Sequence, residues 1–295
     1  MTPHSKIGLW ILAARPKTLW AAVAPVTVGT AMAFESGQGA WLPALAALLG
    51  AVAIQVGTNL ANDYYDGQKG TDRDGRLGPT RVTQAGLVSP GAMRRAIVVA
   101  FLIASLMGVY LVTIGGWPIA FIGGASVLSG ILYTAGPYPL AYIGLADIFV
   151  LIFFGPVAVA GTYYVQTLSL EPSVLVAGLG PGFFSVAILA VNNLRDVDSD
   201  GVAGKKTLAV RFGKRFARLE YLLSILVASF IPVALFGYNQ DHPWSLLAVL
   251  VPLVGAKVIR TALTVPGGRV LNDVLAATGK LLLLFSILFS FGWLL

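Results

Sequence analysis

Apolar runs of about twenty residues, separated by short polar segments, recur from one end of the chain to the other. They fall at roughly 14–34, 41–63, 95–114, 117–134, 142–163, 173–195, 219–238, 244–264 and 272–294. About 20 consecutive apolar residues cross the hydrocarbon core of a bilayer as a helix. Inside lipid a segment must satisfy its own backbone hydrogen bonds, and a helix does so. The pattern therefore predicts an all-α polytopic membrane protein. It would have about nine transmembrane helices in one bundle and a single domain over residues 1–295, with a cytosol-facing cavity. Two of the runs, 41–63 and 173–195, end differently from the others: each closes on a cluster of Asn and Asp.

Composition sharpens this picture. The chain is 57% hydrophobic and only 11% charged, whereas a soluble domain carries about 25% charged residues. It contains no cysteine, which excludes disulfides and thiolate metal sites. Met1 to Lys6 is short, and no small-residue cleavage site follows a short apolar core, so no cleavable leader is expected.

Charge sets the orientation. With a cytosolic N-terminus, all 20 Lys and Arg residues fall in 1–13, 64–94, 135–141, 196–218 and 265–271, or in the cytosolic halves of adjoining runs. The opposite segments hold Glu35, Glu171 and Asp241 and no base. This is the positive-inside pattern. It places both Asn/Asp clusters at the cytosolic surface of the membrane. The net charge of +7 then reads as topology plus capture of an anionic substrate. The bases are dispersed beside helix ends and not gathered on a soluble module, which argues against a nucleic-acid partner.

The first cluster places four acids and two bases between Asp63 and Asp74. On a helix, Asn62 and Asp66 lie four apart and share a face. The second cluster repeats the spacing at Asn192, Asp196 and Asp200, so that Asn62 and Asp66 match Asn192 and Asp196 at one common offset. Two oxygen-rich helix ends suit a hard divalent cation. Mg²⁺ is typically held by one or two carboxylates together with substrate phosphates and waters. Lys69 and Arg81 follow the first cluster, and Lys205 and Lys206 follow the second. They would neutralise the charge that a diphosphate develops as it leaves. Arg195 points about 100° away from Asp196; it either serves the diphosphate or braces a carboxylate. A lipid diphosphate fits such a site, with its tail among the apolar helices and the membrane lipid.

Other residues carry weaker signals. Arg15 is either an interfacial anchor or a cavity base that meets an acidic substrate. Tyr133 and Tyr138 either belong to an aromatic belt or line an aromatic-substrate pocket. Asp147 lies early in a run, and an intramembrane carboxylate is costly enough to mark a functional site by default. Its alternative is a partnership with Lys280 or Arg15. Lys280 snorkels to the surface, and Pro25 and Gly29 loosen the first run. The last three runs read as structural.

At these residues the chain resembles the UbiA superfamily of intramembrane aromatic prenyltransferases. The family's Asn-x-x-x-Asp motif matches Asn62 and Asp66, and its Asn-x-x-x-Asp-x-x-x-Asp motif matches Asn192, Asp196 and Asp200. Many members carry an acid where this chain has Gly70. The resemblance then assigns the third ligand of the first motif to Asp72. Asn-Asp-Tyr-Tyr-Asp, Lys-Gly-Thr-Asp, Gly78-Pro79-Thr80-Arg81 and Gln84-x-Gly86 look like the branch that acts on 1,4-dihydroxy-2-naphthoate. So do Ala14 to Leu19 and Ala203 to Gly213. The resemblance implies a Mg²⁺-dependent transfer of a polyprenyl group from its diphosphate to the naphthoate, with loss of the carboxylate. The enzyme would work in a bacterial plasma membrane. A related prenyltransferase with another acceptor or a phytyl donor is the nearest alternative. A cation or metabolite transporter is an alternative of another class, but its binding groups belong near the bilayer midplane.

Overall fold

A computed structural model of the protein describes residues 5–68 and 77–295, and every regular element among them is helical. The helices are α1 (Lys6–Ala14), α2 (Pro16–Glu35), α3 (Trp41–Gln68), α4 (Pro90–Leu132), α5 (Leu140–Ile143), α6 (Ala146–Phe153), α7 (Pro156–Thr167), α8 (Pro172–Val202) and α9 (Leu208–Asn239). A 3-10 stretch (Pro243–Leu250) then leads to α10 (Val251–Val254), α11 (Ala256–Thr264) and α12 (Leu271–Leu294).

Among the described residues seven spans are long and apolar enough to cross a membrane, with α6 and α7 together forming one; Pro243–Val254 and Ala256–Thr264, bent by 42°, make an eighth. The remaining run is accounted for by α4, which holds both 95–114 and most of 117–134. A straight helix of its 43 residues would run about 65 Å, twice the hydrocarbon core. It is broken at Gly116, whose φ of 65° and ψ of −153° are not helical and suit a residue without Cβ. The halves fold back on one another: a Cβ on Gly130 would lie 3.6 Å from the Phe101 ring. Among the described residues the count of crossings is therefore seven, eight or nine, according to how broken elements are taken, and each of the nine apolar runs falls mainly on helix.

α8 packs against α2, α6, α7, α9 and α12. Glycines let it approach closely where lipid provides no hydrophobic drive between helices. A Cβ on Gly178 would sit 2.6 Å from Pro156 Cα, and one on Gly182 would sit 2.7 Å from the Leu151 carbonyl. Gly29 shows the same logic: a Cβ there would lie 2.4 Å from the Val159 carbonyl. It tightens the contact of α2 with α7, whereas the sequence pattern had suggested a looser one.

The buried apolar side chains form two clusters. A large one joins α2, α7, α8, α9 and α12; a small one holds Ala13, Leu60, Tyr64, Val82, Val88 and Met93. The first Asn/Asp motif rises from the small cluster and the second from the large one, so any pocket between the motifs lies on the seam. The outer face of α4, with Val98, Leu102, Leu106, Val109 and Phe121 exposed, presents apolar surface to lipid.

Replacing Gly178 by Val forces a side chain into backbone and is expected to cost about 1–3 kcal/mol. The melting temperature in detergent should fall accordingly. Gly124→Ala, where a Cβ meets nothing within 4 Å, should leave it unchanged or raise it.

Candidate active site

Both motifs sit at helix C-termini, where the backbone dipole and unpaired carbonyls already concentrate negative charge. Acids there are unfavourable unless cations answer them, and each motif has its own arginine. At the end of α3, Arg81 Nη2 donates to Asn62 Oδ1 at 2.7 Å and to Asp66 Oδ2 at 2.9 Å. At the end of α8, Arg195 Nη2 donates to Asn192 Oδ1 at 2.8 Å and to Asp196 Oδ2 at 2.5 Å, while its Nε donates to Asp196 Oδ1 at 2.8 Å. In each copy, one guanidinium nitrogen bridges the Asn and the Asp. The repeat visible in the sequence is a repeat of geometry.

Neighbouring contacts explain how these arginines are placed. Asp63 accepts from the Val82 and Thr83 amides, both at 3.0 Å, which sets residue 81 over Asp66. Arg195 Nη1 donates to Asn272 Oδ1 at 2.8 Å, and Asn272 Nδ2 donates to the Leu77 carbonyl at 2.8 Å. The last helix thus ties the second motif to the segment that follows the first. Lys205 joins the two motifs directly: its Nζ lies 3.2 Å from Asp200 Oδ1 and 3.8 Å from Asp66 Oδ2. Tyr142 donates its hydroxyl to Asp66 Oδ1 at 2.8 Å and lies under the Lys205 ammonium, 5.1 Å from ring centre to nitrogen. The Lys206 amide donates to the Tyr142 carbonyl at 2.8 Å, holding this loop against the 140–144 turn.

The motifs line a polar pocket of about 50 Å³, together with Arg15, Tyr133, Thr134, Asp147, Asn193 and Thr207. Arg15 occupies the junction of α1 and α2 with left-handed backbone, φ 52° and ψ 68°. That conformation is costly for a residue with a Cβ. Asn59 braces the junction, with Nδ2 donating to the Ala14 carbonyl at 2.9 Å and to Thr18 Oγ1 at 3.1 Å. Burial, reinforced by the carboxylates of Asp147, Asp66 and Asp200, pushes the Tyr133 hydroxyl well above the ordinary phenol range. It therefore faces the pocket as an O–H donor.

Tyr138 and Lys206 do not bring their side chains to the pocket. Tyr138 is 78% exposed and lies outside the pocket lining, because the turn after α4 directs it outward. The Lys206 side chain is exposed; only its backbone serves the site. Asp147 meets a second carboxyl group, Glu220, and not a base. Lys280 is exposed, as snorkelling requires. Lys69 and Asp72 lie outside the described residues.

Tyr142, Asn193, Asn272 and Glu220 were not singled out from the sequence. Only Glu220 carried a signal that the same reasoning recognises: an acid just inside an apolar run, like Asp147. Asn272 opens a run and reads as an ordinary interfacial residue.

The donors suit a hard divalent ion in kind, since all are oxygens. Among the described residues no three acidic, His or Cys groups gather into a metal-binding cluster. Instead there are two Asn–Asp pairs and Asp200, and each pair already attracts a cationic group.

The sequence pattern of the UbiA prenyltransferase family matches residues 22–269. The chain belongs to this family. Among its UbiA relatives, the 1,4-dihydroxy-2-naphthoate octaprenyltransferase of Escherichia coli is 37% identical over 98% of this chain and 96% of its own length. The enzyme of the same description from Mycobacterium tuberculosis is 36% identical, with 94% of both chains covered. The solved structure of a UbiA homolog from Archaeoglobus fulgidus bound to GPP and Mg²⁺ superposes with a TM-score of 0.72 at 16% identity. That match covers 97% of this chain and 99% of the other; at such identity it establishes the shared UbiA fold.

Asp66→Asn and Asp196→Asn are each expected to lose at least ~100-fold in turnover, the loss of several kcal/mol of charge stabilisation. Near-normal turnover at saturating Mg²⁺ would remove that residue from the site. Arg195→Lys keeps the charge but loses the two-nitrogen grip on Asp196. Its turnover should fall ~10-fold or more, as steady-state kinetics would show.

Proposed function

We propose that this UbiA-family chain transfers a polyprenyl group from a polyprenyl diphosphate to 1,4-dihydroxy-2-naphthoate with loss of the carboxylate, giving demethylmenaquinol, the reduced form of demethylmenaquinone, for menaquinone synthesis. The observation that carries the reading is the pairing of two Asn–Asp helix ends across one polar pocket, with Lys205 between them. The naphthoate enzymes among the relatives, similar over nearly the whole chain, support the acceptor.

Asn62, Asp66, Asn192, Asp196 and Asp200 would hold Mg²⁺ together with diphosphate oxygens, with Asp72 as a further ligand. When bound, the metal supplies charge neutralisation at the leaving group. Arg81, Arg195 and Lys205 add fixed positive charge around the same oxygens; Lys69 belongs to the same group by sequence. Arg15 and the Tyr133 hydroxyl are suited to the acceptor's carboxylate and oxygen. The C–O bond of the diphosphate breaks, and the departing group keeps the electron pair. The electron-rich ring attacks the allylic carbon through the carbon that bears the carboxylate. The bond to carbon dioxide then breaks, and its electron pair restores the aromatic ring. Water must be kept from the cation during this sequence, and the apolar walls below the pocket serve that end. We place the pocket and the N-terminus on the cytosolic side of a bacterial plasma membrane, where the bases cluster.

Purified protein given a polyprenyl diphosphate, Mg²⁺ and a panel of aromatic acids should release carbon dioxide in step with prenylated quinol, with the naphthoate alone preferred. Chelation should abolish turnover, and Mg²⁺ should restore it. A product that retains the carboxylate, or equal use of 4-hydroxybenzoate, would overturn the assignment. An allylic diphosphate with a fluorine-destabilised cation should react at least ~100-fold more slowly in a single turnover, about 2.7 kcal/mol of barrier. Equal rates, with chemistry limiting, would favour direct displacement.

A further inference from the structure

One wall of the pocket carries chemistry that the diphosphate end does not use. Asp147, in the first turn of α6, is 7% exposed and lines the pocket. Its carboxyl group lies beside that of Glu220 on α9. Asp147 Oδ1 and Glu220 Oε2 are buried, and neither accepts a hydrogen bond from a donor among the described residues. An ionised carboxylate only accepts hydrogen bonds, so two buried carboxyl groups with no other donor satisfy one another only by sharing a proton. The pair therefore carries one negative charge between two groups, the arrangement that like charges adopt when both cannot ionise.

The two sides of the pair differ. Asp147 sits at a helix N-terminus, whose amides and dipole favour an anion. Glu220 sits within α9 beside an apolar groove of about 280 Å³ lined by Phe183, Val186, Phe216, Leu219 and Leu223. No other titratable side chain among the described residues lines that groove. The charge belongs on Asp147, and Glu220 donates to it. On the pocket side, the charged and titratable groups around Asp147 are Arg15, Tyr133, Asp66 with Arg81, and Asp196 and Asp200 with Lys205. The cations near the motifs already lie on the motif carboxylates, which leaves Asp147 as the carboxylate backed by another carboxyl group.

We propose that Asp147, held by Glu220, takes the proton from the acceptor hydroxyl adjacent to the carboxylate as the ring attacks, and returns it to the same oxygen after carbon dioxide leaves. This rests on the naphthoate reading. Only that oxygen is placed to push electrons onto the attacking carbon. As the C–C bond forms, the O–H bond breaks and its electron pair makes a C=O group, so the intermediate is a β-keto carboxylate. The bond to carbon dioxide breaks next, its pair passes to the oxygen as an enolate, and the proton comes back from Asp147. No net proton, oxidant or reductant is required. Taking up the proton leaves the carboxyl pair uncharged, which suits its depth in the bundle.

The test uses full-length protein in detergent, with turnover measured from pH 6 to 9.5 and prenyl diphosphate affinity measured by direct binding. Wild type must first prenylate the naphthoate; if it does not, the acceptor reading fails, and the proposal fails with it. Asp147→Asn should lower kcat at pH 7 at least ~100-fold with diphosphate affinity unchanged. Its defect should shrink with falling pH, because wild type loses the ionised base there whereas the variant has no such limb. Glu220→Gln keeps a donor to Asp147 and should retain the rate, whereas Glu220→Leu should lose ~10-fold or more, the worth of a hydrogen bond to a charged group. A Asp147→Asn enzyme within about twofold of wild type, a defect constant across pH, or a matching loss of diphosphate affinity would each overturn the proposal while leaving the naphthoate reading intact.

Discussion

Negative charge gathered at the C-termini of two helices is the constraint on which the rest of this structure depends. The backbone dipole opposes it, the nearby hydrocarbon opposes it, and the two clusters oppose each other. The protein resolves the conflict with fixed cations: Arg81 on one pair, Arg195 on the other, and Lys205 between them. Tertiary contacts that look remote from chemistry serve this end. Asp63 folds residues 82 and 83 back so that Arg81 reaches its pair, and Tyr142 closes the free side of Asp66.

The frame that carries those helix ends rests on close backbone approach more than on side-chain bulk. In lipid, apolar side chains gain little by meeting one another, and shape fit decides association. The crossing of α8 over the α6–α7 junction at Gly155, Gly178 and Gly182 shows this. The two apolar clusters remain separate in consequence, and the polar pocket occupies their boundary.

Much of this was legible in the sequence because two periodicities dominate it. Apolar run length specifies spans, and the four-residue spacing of Asn62–Asp66 and Asn192–Asp196 specifies one helical face in each motif. The alternative that Arg195 braces a carboxylate also followed from its angle on the helix. What was hidden depends on contacts between distant segments. Nothing local to Asn272 marks it as a partner of Arg195, and nothing local to Tyr142 marks it as a partner of Asp66. Tyr138, an equally plausible aromatic four residues earlier, points outward. Asp147 was legible as unusual, but the neighbouring carboxyl group of Glu220 was not, because it comes from a helix distant in the chain. A base is the usual answer to a buried acid, whereas α9 brings a second acid.

Asn272 bonds at once to Arg195 and to the Leu77 carbonyl. One amide thus couples the position of the second motif to the path of the chain leaving the first. Coupling of this kind is reciprocal in free energy. If a ligand draws Arg195 into a new alignment, the segment around Leu77 feels the same change in stability that its own rearrangement would impose on the ligand. Donor capture and the hold on Leu77 are then two readings of a single equilibrium, and the last helix of the bundle acts as the beam of the balance between them.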